Sequence, residues 1–516
     1  MSGQYNSRRD FLKEIGFGAA SLVFAGRVHA SEPFGSGASN KRPNILFCLA
    51  DDWSWPHASI AGDKVVKTPT FDRVAREGVL FENAFVSSPS CTPSRGAVLT
   101  GQWHWRLEEG GNLWSTLPVK FPVYPDLLED AGYHVGYTRK GWGPGRDEPG
   151  GRKRNPAGPQ YKSFEEFMNA RPEGKPFCFW FGSQDPHRPY KWRSGLQSGM
   201  KPADVQVPAC LPDSEEARTD MCDYYWEIQR FDTEVSELLE ILQEKGELDN
   251  TLVVISGDNG LPFPRCKSNL YDTGTHVPLA VRWPAAVRGN RIIEDFISLA
   301  DLAPTFLEAA GLKSIPEMTA RSFLGILISG KSGRIDPKRD HVLTGKERHV
   351  PGQEEGAGGY PMRAIRTHDF LYIHNFKPDR WPSGYPAGYA EPIEIDISKP
   401  HDTKFGYADT DASPTKSYML KHRDDPKVAR FFELAFAKRP AEELYDLRKD
   451  PAQLNNVAAA PEYAKVKKEL FAALMAELKA TNDPRVLGKG DSFDQYPYYG
   501  GGVPVKSPAT PGRAKR

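Results

Sequence analysis

No charge of either sign is in excess in this chain: 67 Lys and Arg balance 67 Asp and Glu across 516 residues. A nucleic-acid-binding face or a polybasic membrane patch needs a basic surplus, so neither is expected, and any anion binding must be local. Cysteine is scarce too. The six residues Cys48, Cys91, Cys178, Cys210, Cys222 and Cys266 show no CxxC or His-paired spacing, which argues against a zinc site. Cys48 and Cys178 lie in apolar runs and read as core thiols, while Cys210 and Cys222 could pair in an oxidising compartment. Cys91 stands apart. It sits in "SSPSCTPSRGAVLTGQ" (87–102), a polar, Pro-interrupted stretch where a packing cysteine would be wasted.

Long apolar runs are missing as well. "SRRDFLK" (7–13) precedes the short run "IGFGAASLVFAG" and then "VHA", ending at Ala30. That is the layout of a twin-arginine export signal with a small-residue cleavage site, so residues 1–30 are set aside from fold reasoning. Export in folded form through the twin-arginine translocation machinery, to the periplasm or beyond the cell, is the expectation. Past the signal nothing approaches the ~20 apolar residues that span a bilayer, so no stable membrane insertion is expected.

What is present fits an α/β chain. The runs "NILFCLA" (44–50), "HVGYT" (134–138), "FCFWFG" (177–182) and "TLVVIS" (251–256) are apolar on both faces, as central strands of a mostly parallel sheet are. Between them, 68–78, 123–132, 218–246 and 298–311 read as helices, several ending in Gly. The expected fold is a large, mostly parallel sheet flanked by helices over 43–340, then a smaller C-terminal α+β subdomain over 341–486. That subdomain takes strands from 362–375 and 443–457 and an amphipathic helix from 464–480. The Gly/Pro-rich tail 487–516 is expected to be poorly ordered.

Strand ends carry the chemistry. The first strand runs into Asp51 and Asp52, and the strand at 251–256 runs into Asp258 and Asn259. Ligands of open parallel sheets bind beyond the carboxyl ends of the strands, so these four side chains can converge. Three carboxylates and an amide suit a hard cation, calcium ahead of magnesium. His187 in "SQDPHRPY" and Lys140 in "YTRKGWGPG" follow strands toward the same edge, and Lys267 follows the Asp258–Asn259 pair closely.

With those companions in order, "CTPSR" and the following "GAVLTG" resemble the signature of the formylglycine-dependent sulfatases, an alkaline-phosphatase-like superfamily. The resemblance covers 43–310 well and the rest through "ELYDLRKDP". It implies that Cys91 is oxidised to formylglycine by a separate maturation enzyme. It also implies that residue 91, Asp51, Asp52, Asp258 and Asn259 bind one calcium ion, that Arg95 orients the aldehyde hydrate, that Lys140 and Lys267 hold sulfate oxygens, and that His187 protonates the leaving group. The hydrate has two hydroxyls on one carbon: one attacks sulfur, and loss of a proton from the other expels sulfate and restores the aldehyde.

One position departs from the family. Many sulfatases carry a His after the lysine, in a "GKWH"-like segment, whereas this chain reads Arg139, Lys140, Gly141, Trp142, Gly143. His104 and His276 are the candidates to replace it. "DNGLPFPRCKSNLY" and "QDPHRPY" look most like the branch that includes heparan N-sulfatase, so a sulfated oligo- or polysaccharide losing an O- or N-linked sulfate is the expected substrate. Trp103, Trp105 and Trp114, with Arg106, are candidates for sugar stacking and anion binding. Two alternatives stay open: a phosphate or phosphonate ester hydrolase of the same superfamily, and a non-catalytic sulfoglycan-binding relative.

Overall fold

The strand β1 (Asn44–Ala50) shows how the core is divided. All seven of its residues are buried, and its side chains alternate between two clusters. Leu46, Cys48 and Ala50 face one. Ile45, Phe47 and Leu49 face the other. A period of two with both faces apolar places the sheet between two helical layers. This arrangement is seen in a computed structural model, whose described residues are 42–354, 356, 358–386 and 406–501. The expected export signal, 1–30, lies outside them.

The other strands of this sheet are β2 (Val79–Phe81), β3 (His134–Arg139), β4 (Phe177–Gly182), β5 (Thr251–Gly257), β6 (Leu279–Arg282) and β7 (Arg291–Ile293), ordered β3-β4-β1-β5-β6-β2-β7. The block β3-β4-β1-β5 is parallel, and β6 runs antiparallel to both of its neighbours. On one face lies the 30-residue helix α4 (Glu215–Glu244), contributing Met221, Ile228, Val235 and Leu242. On the other lie α3 (Tyr124–Asp130) and α5 (Leu302–Ala309), with Leu128 and Phe306 in the core. Each such side chain, fully buried, stabilises the fold by roughly 1.5–3 kcal/mol before entropy is counted. The helices α1 (Pro69–Glu77) and α2 (Cys91–Thr100) complete this part. Cys48 and Cys178 are core thiols as expected.

A second, antiparallel sheet orders β8 (His341–Lys346), β9 (Met362–Thr367), β10 (Phe370–Asn375) and β11 (Glu442–Asp446). One face packs on α6 (Ala464–Ala480) through Leu470, Leu474 and Leu478, spaced four apart so that they form one stripe. Its other face, with Met362, Ala364, Leu371, Ile373 and Tyr445, packs on Leu270 and Tyr271 of the first part. The described residues of both sheets belong to one compact unit.

Three expectations need correction. Residues 487–501, assigned to a poorly ordered tail, include the short helix Ser492–Gln495, and Phe493 is buried against Trp105 and Leu343. Cys210 does not meet Cys222: its Sγ lies 3.9 Å from that of Cys266, because the loop after β5 folds back across the start of α4. Trp105 is fully buried in the cluster shared by the second sheet and α6, so it packs there rather than against a sugar, while Trp103, stacked on it at 5.3 Å, stays partly exposed. Arg106 is held by Gln102 at 3.1 Å.

Candidate active site

Beyond the carboxyl ends of β1 and β5, backbone bonds first fix the two acidic pairs. Asp258 N donates to Ala50 O at 3.0 Å, and Asp51 N to Asp185 O at 3.0 Å. Successive strand side chains point opposite ways, so Asp51 and Asp52 would diverge if the strand continued. Asp52 instead turns at φ 75°, a left-handed conformation that Asp tolerates better than most residues, and its N–H donates to Asp258 Oδ1 at 3.0 Å. The strand ends also need to be bare. A Cβ on Gly182 would collide with the Lys140 carbonyl, and one on Gly257 with the Trp53 carbonyl.

The ligating atoms of Asp51, Asp52, Cys91 and Asp258 all lie within 4.8 Å of one another, and all four residues are buried. Asn259 Nδ2 donates to Asp52 Oδ1 at 2.5 Å, which leaves the buried Asn259 Oδ1 with no hydrogen-bond partner. Cys91 is the first residue of α2, so the free N–H end of that helix faces the cluster. Arg95 is four residues on and shares its face.

The cations of this site sit on its carboxylates. Arg95 Nε donates to Asp258 Oδ2 at 2.7 Å and its Nη1 to the carbonyls of Lys140 and Gly141, while its buried Nη2 has no hydrogen bond and lies 3.7 Å from Asp51 Oδ1. Lys140 Nζ pairs with Asp51. Lys267 Nζ lies 2.7 Å from Asp52 Oδ2 and 3.3 Å from Asp411 Oδ2. His187 stands at the mouth, its side chain 36% exposed, with Nε2 4.0 Å from Asp52 Oδ2.

Titration follows from this crowding. Burial opposes ionisation of Asp51, but Lys140, His187, Arg95 and Lys267 override it and hold the carboxyl well below the usual range. Burial wins at Asp258, which is pushed up to about 6 despite Arg95. Burial and the Asp51 charge also raise the Cys91 thiol well above its ordinary value, and it donates to Asp51 Oδ1 at 3.3 Å. An unmodified Cys91 is therefore a protonated, unreactive thiol.

Every sequence-expected site residue is thus in one place: Cys91, Arg95, Lys140, His187, Lys267, Asp51, Asp52, Asp258 and Asn259. The two stand-ins for the missing histidine are not. His104 is fully buried, with Nδ1 on Ser87 Oγ at 2.9 Å, and His276 gives Nε2 to Glu82 O while stacking on Phe85 at 4.5 Å. The packing sends both rings elsewhere. Sequence reasoning also missed Asp411 and His349. His349 Nδ1 is 2.9 Å from Ser90 Oγ, next to Cys91. They lie in "ADTDASP" and "KERHVPG", loops with no motif to mark them.

The model of the sulfatase family matches residues 43–312, and a second, described as N-sulphoglucosamine sulphohydrolase, C-terminal, matches 265–381. The chain belongs to the sulfatase family, with the α/β fold those proteins share. Among curated relatives, human N-sulphoglucosamine sulphohydrolase is 29% identical over 506 residues, covering 87% of this chain and 93% of that protein. An ulvan-active sulfatase of Formosa agariphila is 26% identical over 499 residues, covering 88% and 78%. A solved structure in complex with its substrate D-glucosamine-2-N,6-O-disulfate superposes with a TM-score of 0.60 at 19% identity, covering 86% of this chain and 99% of that one.

Proposed function

We propose that this sulfatase removes sulfate groups, O-linked or N-linked, from a sulfated glycan, using formylglycine made from Cys91 and one bound calcium ion. The observation that carries this is the convergence of three buried carboxylates, an amide and Cys91 with three cations already seated on those carboxylates. Oxygen donors dominate the set, and the buried Asn259 Oδ1 lacks a donor, which fits a hard cation. Asp51, Asp52, Asp258, Asn259 and residue 91 would hold it. When bound, calcium supplies positive charge to the sulfuryl oxygens, and the aldehyde supplies the nucleophilic hydroxyl.

The chain's own residues do the rest. Lys140, paired with Asp51, and Lys267, paired with Asp52, hold sulfate oxygens, and Arg95, fixed by three hydrogen bonds, orients residue 91. The Arg188 carbonyl can only accept, so at 2.5 Å it fixes the proton of His187 on Nδ1. Nε2 is then the nitrogen that exchanges a proton with the leaving group.

The C-terminal family match and the human relative support an N-linked sulfate of glucosamine within this class. The maturation enzyme and the twin-arginine machinery complete the proposal: the aldehyde is installed in the cytoplasm, and the folded chain then leaves for the periplasm or beyond. Protein whose residue-91 aldehyde has been verified by peptide mass is incubated with an N-sulfated disaccharide and, separately, with O-sulfated counterparts. A free amine from the first establishes sulfamidase action. Desulfation of the O-sulfated sugars alone establishes a polysaccharide O-sulfatase, and release from neither rejects the function.

A further inference from the structure

The wall of the site that comes from the second sheet differs in charge from the sulfate cradle. Asp411 is its foremost group. One oxygen, Oδ2, is buried without a hydrogen-bond partner and lies 3.3 Å from Lys267 Nζ, while the side chain as a whole is 26% exposed. Burial opposes its ionisation, but the positive charges of Lys267 and Arg188 outweigh that and hold the carboxyl well below the usual range.

Its position is fixed from both sides. Two residues before it, Asp409 accepts from Lys346 Nζ at 2.5 Å and from Val350 N at 3.1 Å. Four residues after it, Thr415 Oγ1 donates to Asp220 Oδ2 at 2.6 Å. A carboxylate anchored this way is preorganised to read a ligand group.

The neighbouring cations are already engaged. Arg188 forks onto Asp220 at 2.7 and 2.9 Å, Lys346 serves Asp409, and Lys267 is shared with Asp52. His349 is neutral above acidic pH, because burial pushes it down to about 4. So the carboxylate of Asp411, beside Lys267, offers an acceptor and negative charge to whatever sits beside the scissile sulfate. A sugar hydroxyl or N–H there is a donor it can bind, whereas a second sulfate or a uronate carboxylate meets a like charge, with the described lysines and arginines beside it already engaged.

Resting on the sulfatase reading above, we propose that Asp411 is a specificity-determining residue. It accepts a hydrogen bond from the hydroxyl or N–H adjacent to the scissile sulfate and excludes sugars that carry a second anionic group at that position.

The test compares aldehyde-verified wild type, Asp411→Asn and Asp411→Ala on matched sulfated glucosamine derivatives, bearing or lacking a second sulfate on the adjacent carbon. Wild type should favour the singly sulfated sugar in kcat/KM by at least about tenfold, and both variants should shrink that ratio by about tenfold. In Asp411→Asn, which keeps the shape and one acceptor, the gain should come on the doubly sulfated sugar. Asp411→Ala should lose most on the singly sulfated one. A purely structural role would lower both rates together and leave the ratio fixed, so an unchanged ratio in Asp411→Asn overturns the proposal, as does a wild type that prefers the doubly sulfated sugar. Failure of wild type to release sulfate from any of these sugars overturns the sulfatase reading itself, before any variant is compared.

Discussion

The two sides of the active site are built differently. The side formed by β1, β5 and α2 places Asp51, Asp52, Asp258, Asn259 and Cys91 at element ends and Arg95 one turn into α2, so each residue's position follows from a strand or helix. The side formed by the second sheet supplies Asp411 and His349 from loops, fixed only by tertiary bonds such as those of Asp409 and Ser90. Chemistry common to a family sits on the first kind of scaffold, where geometry is hard to disturb. Recognition sits on the second, where it can vary without moving the reacting groups.

Replacing the proposed nucleophile on the element-borne side should have the largest effect. Cys91→Ala should lower kcat/KM for sulfate release by about 10⁴ or more, with the fold intact by melting temperature. Next comes Asp258→Asn, which removes a charge from the proposed calcium set. It should lower calcium content at limiting free metal and cost on the order of 10²–10³ in rate, checked by metal analysis beside activity. Lys140→Ala should cost about 10² in kcat/KM, because it removes one of two lysines at the sulfate position while Arg95 keeps its own bonds.

On the loop-borne side the effect is on stability. His349 titrates near 6.5 when unfolded and near 4 in the fold, because burial disfavours its charge. Between those values the unfolded chain binds more protons, so this contribution is present above about pH 6.5 and is lost as pH falls toward 4. The stability difference between wild type and His349→Asn should shift by about 3 kcal/mol over that window in denaturant titrations. A difference that does not vary with pH would show that His349 is not held neutral by burial.

Legibility in the sequence divides along the same line. The strands at 44–50, 177–182 and 251–256 were readable because a continuous apolar run bounded by Asp or Gly has one common reading, and the structure adds only a residue or so at their ends. "DD" and "GDN" were readable together because each follows the end of a strand, and Cys91 and Arg95 were readable because "CTPSR" resembles the sulfatase signature. His349 and Asp411 were not, since they lie 258 and 320 residues from Cys91 in sequence and meet the site only after the second sheet docks on Leu270 and Tyr271. Trp105 misled for a similar reason: exposed-looking in "QWHWR", it is covered by α6, which lies more than 350 residues later, whereas Trp114 is exposed.

The central claim is that this cluster hydrolyses sulfate rather than phosphate. The most direct measurement is the ratio of kcat/KM on matched aryl sulfate and aryl phosphate or phosphonate esters, with aldehyde-verified protein in calcium and Cys91→Ala as the blank. Sulfate release that exceeds phosphate release and disappears in Cys91→Ala is the predicted result. Faster turnover of the phosphate or phosphonate ester, or turnover that survives in Cys91→Ala, would contradict it.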